Sequence, residues 1–167
     1  MMLALESASS TAARAQSSVP RGPAVLPFLG IGGFPRPRDI ESGVTDTGQM
    51  LAGVGLDLPI AGRVTLAAAV ARGFQPVACA GSCAPEGSLA QLALFWTTRA
   101  PEAKWGLLLG PTIERSTFDG QRVGVGGALA VGAQRGLGPR LLLRYLTLSG
   151  ARRPTSLAGF LAWRFGG

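Results

Sequence analysis

Histidine is absent from all 167 residues. Its absence removes the Ser-His and Cys-His nucleophile arrangements, together with the commonest metal ligand. No G-x-x-x-x-G-K phosphate loop occurs, and Gly124, Gly126 and Gly127 lie in an alternating run with no helix behind it. A dinucleotide loop needs that helix, so none is expected. Two thiols remain, Cys79 and Cys83, in the segment Cys-Ala-Gly-Ser-Cys. Alone they cannot complete a four-ligand zinc site, and their spacing is not that of a C-x-x-C redox pair. The residues therefore predict no enzyme, no metal and no cofactor.

The remaining chemistry is charge. Sixteen Lys and Arg face nine Asp and Glu, giving a formal charge of +7, and every basic residue except Lys104 is arginine. Nucleic-acid binding would want those cations clustered with aromatics on one face. They are instead spread singly along the chain, mostly near the ends of apolar segments, so no nucleic-acid partner is expected.

What must position these charges follows from hydropathy. Charged residues are only 15% of the chain, against roughly a quarter in an average soluble domain, and the mean hydropathy is positive. The longest uncharged stretches, such as 123–134 and 22–35, are too short for a membrane helix, which takes about 20 apolar residues. A closed barrel is the other way to satisfy a backbone in lipid.

From residue 25 the chain reads as eight short runs of alternating apolar and small residues, near 25–34, 48–58, 63–74, 88–99, 104–116, 122–135, 140–149 and 155–165. Several exceed the usual five or six residues of a soluble strand and suit a tilted membrane strand of about 9–11. Tight Gly/Pro turns at 59–62, 100–103 and 136–139 alternate with links at 35–47, 75–87, 117–121 and 150–154. Short turns at one rim and longer loops at the other are the plan of an outer-membrane barrel.

The alternation assigns the faces. Val64, Leu66 and Val70 oppose Thr65, Ala67 and Ala71, while Trp105, Leu107 and Leu109 oppose Gly106, Gly110 and Glu114. Large apolar groups share one face and small or polar groups the other, the inverse of a water-soluble barrel. All three Trp residues, Trp96, Trp105 and Trp163, fall at the turn-side end of their runs, as an interfacial belt requires. Phe34, Phe74 and Phe118 fall near the other rim.

The fold expected is thus all-β, an antiparallel up-and-down transmembrane β-barrel of about eight strands spanning 25–167. Residues 1–24 are expected to be the remnant of an export signal, with Ala13-Arg14-Ala15 as an A-x-A cleavage pattern, or a disordered Ser/Ala tail. Within such a barrel Asp57, Glu114, Arg122, Arg144 and Arg164 are expected to face the lumen and form a charge network, since buried charges must pair or stay hydrated. In oxidising surroundings Cys79 and Cys83 are expected to close a loop disulfide. Arg36, Arg38, Arg115, Arg152 and Arg153 fall near the outer rim, where guanidinium forks match lipopolysaccharide phosphates. Ordinary solvated loop charge is the alternative for these five.

On this pattern residues 25–167 resemble the small outer-membrane barrel proteins of the OmpA, OmpX and OmpW type. The closing segment 159–165, with alternating aromatics, resembles the terminal strand by which such proteins engage the outer-membrane insertion machinery, and differs in the two glycines that follow. The resemblance implies a bacterial outer-membrane location, a lipid-bilayer environment and a structural, surface-interaction or narrow-conduit role. Two alternatives share the pattern: a soluble lipocalin-like barrel carrying an apolar ligand, and a strand-rich subunit of a surface assembly.

Overall fold

The structure is a computed structural model, describing residues 22–34, 47–74, 87–100, 103–117, 121–149 and 155–167. Eight strands follow one another: β1 Ala24–Phe34, β2 Thr47–Ala61, β3 Val64–Phe74, β4 Ser88–Thr97, β5 Trp105–Ser116, β6 Arg122–Ala133, β7 Gly138–Leu148 and β8 Thr155–Gly166. Each pairs antiparallel with its sequence neighbour, and β1 closes on β8 from Ala24↔Gly166 to Gly33↔Leu157. Closure leaves no edge strand, so the backbone groups of every strand have a neighbour on both sides. The fold is the eight-stranded up-and-down barrel that the alternation predicts.

Two prolines leave gaps in the ladder. The β1–β8 register passes from Val25↔Phe165 to Phe28↔Ala162, skipping Leu26 and Pro27. Likewise β4–β5 passes from Ala93↔Thr112 to Trp96↔Leu109, skipping the level of Gly110 and Pro111. Proline has no N–H to donate, and in both cases the pairing on its other side is intact, Pro27↔Val54 and Pro111↔Gly127. A closed barrel has no edge on which to place such residues, so each leaves a local gap.

The hairpin ends use the expected turn chemistry. Gly62, with φ +45°, and Gly136, with φ +64°, hold left-handed conformations in the β2–β3 and β6–β7 turns, where a Cβ would be strained. Pro59 accompanies a register shift between Pro59 and Ala61 as β2 enters its turn.

Parity then sorts the side chains. Among the described residues twenty-seven large apolar side chains are exposed, from Leu157 and Ile31 at 65% to Leu129 at 37%, and nearly all stand on the outer face of a strand. A soluble monomer rarely shows a contiguous apolar patch of more than a few hundred Å². Here the patch runs around the barrel on all eight strands. Trp96, Trp105 and Trp163 all stand exposed at the turn-side end of that band, as the belt arrangement requires.

Candidate functional site

The inward faces are rich in Gly and Ala, and these leave room for larger groups. Phe28 and Phe160 meet edge to face, centroids 5.3 Å apart. Cβ atoms at Gly30 and Gly53 would collide with these rings. Two apolar layers result, one around Leu51, Leu89, Ala158 and Phe160, the other around Phe95, Leu108, Ala128 and Ala130, with Leu142 packed against both.

Charges lie in two further layers. Nearer the turns, Arg140 of β7 reaches across the lumen to Asp57 of β2, Nη1 to Oδ2 2.6 Å, while its Nε and Nη2 donate to Ala133 O at 3.1 and 2.7 Å. Arg164 of β8 stands 3.9 Å from the same carboxylate and donates through Nη1 to Gly136 O, 3.2 Å, and to Gly166 O. Nearer the loops, Arg144 of β7 pairs with Glu114 of β5, both about 1% exposed, and lies 5.3 Å over the Phe160 ring. Removing such charges from water is costly unless geometry and hydrogen bonds compensate. Three guanidiniums and two carboxylates thus make a lumen set in two parts, one tying β2, β7 and β8 together and the other tying β5 to β7.

Neutral polar groups extend it. Gln91 Nε2 donates to Thr112 Oγ1 at 2.8 Å, and Thr97 Oγ1 donates to Gln134 Oε1 at 2.8 Å. Between the layers a cavity of about 50 Å³ remains, bordered by Leu26, Phe28, Asp57, Gln91, Phe95 and Arg140. At about 30 Å³ per water this is room for one or two molecules, with few polar partners. The lumen along the described strands is packed with side chains.

Four of the five expected lumen charges, Asp57, Glu114, Arg144 and Arg164, are thus brought into the interior. Arg122 departs from the expectation in degree. It shares the inward parity but is the first residue of β6, opposite Ser116 and two residues nearer the rim than Glu114, and is only half-buried. Arg140 is not among the expected lumen charges, because the seventh run of the sequence begins there, beside a turn. The strand starts two residues earlier, at Gly138. The signal was nonetheless present, since Arg140 has the parity of Arg144.

Of the five rim arginines, Arg115 is exposed on the outward face of β5 and donates to Gln121 Oε1 at 2.7 Å. Arg36, Arg38, Arg152 and Arg153 lie outside the described residues, as do Phe118 and the expected disulfide pair Cys79 and Cys83. Arg72, which sequence reasoning did not single out, is also exposed on the outward face, at the loop-side end of β3.

An eight-stranded barrel with an apolar exterior and a charged, packed interior is the architecture these observations define. No protein-family model matches the chain, and no curated protein sequence does. Among solved structures the chain is similar to Neisserial surface protein A, with TM-score 0.61 and 12% identity over 87% of this chain and 97% of that one. It also aligns with Ail, the attachment invasion locus protein of Yersinia pestis, solved with the heparin analogue sucrose octasulfate, at TM-score 0.40 and 12% identity over 86% of this chain and 97% of that one. At such identity the likeness to the first is one of fold.

Proposed function

We propose that the chain is a non-enzymatic integral protein of a bacterial outer membrane, spanning the bilayer with its eight strands and serving a structural or surface-interaction role. The observation that carries this reading is the inverted barrel: large apolar side chains outside on every strand, Asp57, Glu114, Arg140, Arg144 and Arg164 inside. A lipocalin-like carrier would need a hydrated exterior and an apolar cavity sized for its ligand. This barrel instead has an interior cavity of only about 50 Å³, whereas ligand pockets run to about 300–1,000 Å³.

The same packing argues against efficient conduction. Phe28, Phe95 and Phe160, with the Asp57–Arg140 bridge, occupy the section through which solute would pass.

Reconstitution in planar bilayers and in vesicles containing brominated lipid tests the reading. Trp96, Trp105 and Trp163 should be quenched most by bromines near the headgroups, and no steady conductance should accompany insertion. Tryptophans unaffected by any brominated lipid would refute the membrane location, and a stable open channel would refute the packed lumen.

A further inference from the structure

We propose that the outward face of β2–β5 seats one phosphorylated glycolipid of the outer leaflet, of lipid A chemistry. In this arrangement Arg72 and Arg115 hold its phosphates and its acyl chains lie in the groove below them. The proposal rests on the outer-membrane reading above.

Two shallow depressions, of about 620 and 670 Å³, share Val54, Val70, Ala90 and Arg115, and so form a single groove. Its origin is in the sequence. Register places Val54, Val70, Ala90 and Arg115 in one row across four strands, with Ala52, Arg72 and Ser88 in the row above. The small Ala90 and Ser88 of β4 thus lie between Arg72 of β3 and Arg115 of β5. Below them Ala68 sits between Leu56 and Leu92. Short side chains between longer ones leave a furrow that runs down the barrel.

Height fixes which part of a lipid meets the arginines. Ten residues along β5 separate Trp105, in the aromatic belt, from Arg115. At about 3.4 Å per residue and a tilt near 40°, that is a rise of roughly 26 Å, matching the apolar band of about 25 Å. Arg115 therefore reaches the opposite headgroup level, and Arg72, one row higher on its strand pair, does too.

Charge fixes its chemistry. Among the described residues, Arg72 and Arg115 are the charged side chains on the outward face of the strands between the two rims, and both are cationic. Ser88 and Thr117 stand beside them, hydrogen-bonded to each other, Ser88 N to Thr117 Oγ1 at 3.0 Å. Adjacent strands lie about 4.8 Å apart, so the Cα atoms of the two arginines, two strands apart and offset by a row, stand roughly 12 Å from each other. That spacing suits a headgroup with two separate phosphates better than one with a single phosphodiester. Arginine forks bind phosphate bidentately, and an acyl chain continuing from such a headgroup meets the furrow directly beneath.

The test uses the folded chain in zwitterionic detergent, titrated with diphosphoryl lipid A, with dephosphorylated lipid A and with phosphatidylglycerol, bound lipid being counted by native mass spectrometry. Diphosphoryl lipid A should bind best. Arg72→Gln with Arg115→Gln should weaken it about tenfold or more, since hydrogen bonds to charged groups are the stronger class. Ala90→Phe, which fills the furrow, should weaken both lipid A forms while leaving their ratio unchanged. Arg63→Gln with Arg99→Gln, at the turn-side rim, should leave binding as it is. Equal binding by the Arg72/Arg115 variant, or phosphatidylglycerol binding as tightly as lipid A, would overturn the proposal. A heat-dependent gel shift on every variant separates the two levels of failure. Its absence in the unaltered chain refutes the membrane barrel, whereas its presence without lipid A binding refutes the lipid seat alone.

Discussion

Substituting Asp57 strikes the point where three strands meet through one carboxylate. Its Oδ2 accepts from Arg140 at 2.6 Å and lies 3.9 Å from Arg164, and all three side chains are buried. Asp57→Ala leaves two guanidiniums without their counter-charge in the barrel interior, and breaking a buried pair in this way costs about 3–5 kcal/mol. Asp57→Asn keeps an oxygen for Arg140 but loses the charge. With charge centres about 4 Å apart at an effective dielectric near 20, the attraction removed is about 4 kcal/mol before rehydration offsets part of it. A net loss of about 2–3 kcal/mol is then expected. Both arginines keep backbone acceptors, Ala133 O for Arg140 and Gly136 O for Arg164, which limits the damage. The assay is urea unfolding of the refolded chain in lipid vesicles, followed by Trp fluorescence. Adding Arg140→Met to a variant carrying Asp57→Leu should recover much of the loss, because an apolar pair avoids the desolvation cost. If Asp57→Ala shifts stability by less than about 0.5 kcal/mol, the cross-lumen bridge contributes no more than a surface ion pair would, and the account of the interior is wrong.

Leu143→Arg, on the outward face at the middle of β7, should cost about 2–4 kcal/mol when the barrel is unfolded from a bilayer; a value near zero would mean that this face does not meet lipid. Phe160→Ala should cost about 3–5 kcal/mol by the same unfolding assay, since it empties the place where Phe28 and Arg144 converge. Gly136→Ala, in a turn with φ +64°, should cost about 1–2 kcal/mol from left-handed strain alone and leave the fold intact by circular dichroism.

The strands were legible because one period runs through all of them. Large groups alternate with small ones, and the eight runs match the eight strands to within a few residues at each end. The largest difference lies at β2, where Pro59-Ile60-Ala61 continues the strand although Pro59 and Gly62 carry the signature of a turn. Pairing of β2 with β3 outweighs the local signal there. Parity also placed Asp57, Glu114, Arg144 and Arg164 inside. What the sequence could not supply was depth along the lumen: Arg122 has the right parity but stands at the rim, while Arg140, read as a terminal residue, is the one that crosses to Asp57. Such cross-lumen partners depend on the shear of the closed barrel, which no local pattern encodes. That Arg72 and Arg115 flank the same stretch of β4 was hidden for the same reason, because the two belong to different hairpins and are related only through the register of β4.

The central claim, that this chain closes into a lipid-facing barrel, is tested most directly by folding it in detergent and comparing its SDS gel mobility before and after boiling, with circular dichroism on the same sample. The account predicts a β spectrum and a heat-dependent mobility shift, both lost when detergent is withheld during refolding. A chain that folds in plain buffer and runs identically with and without boiling would contradict it.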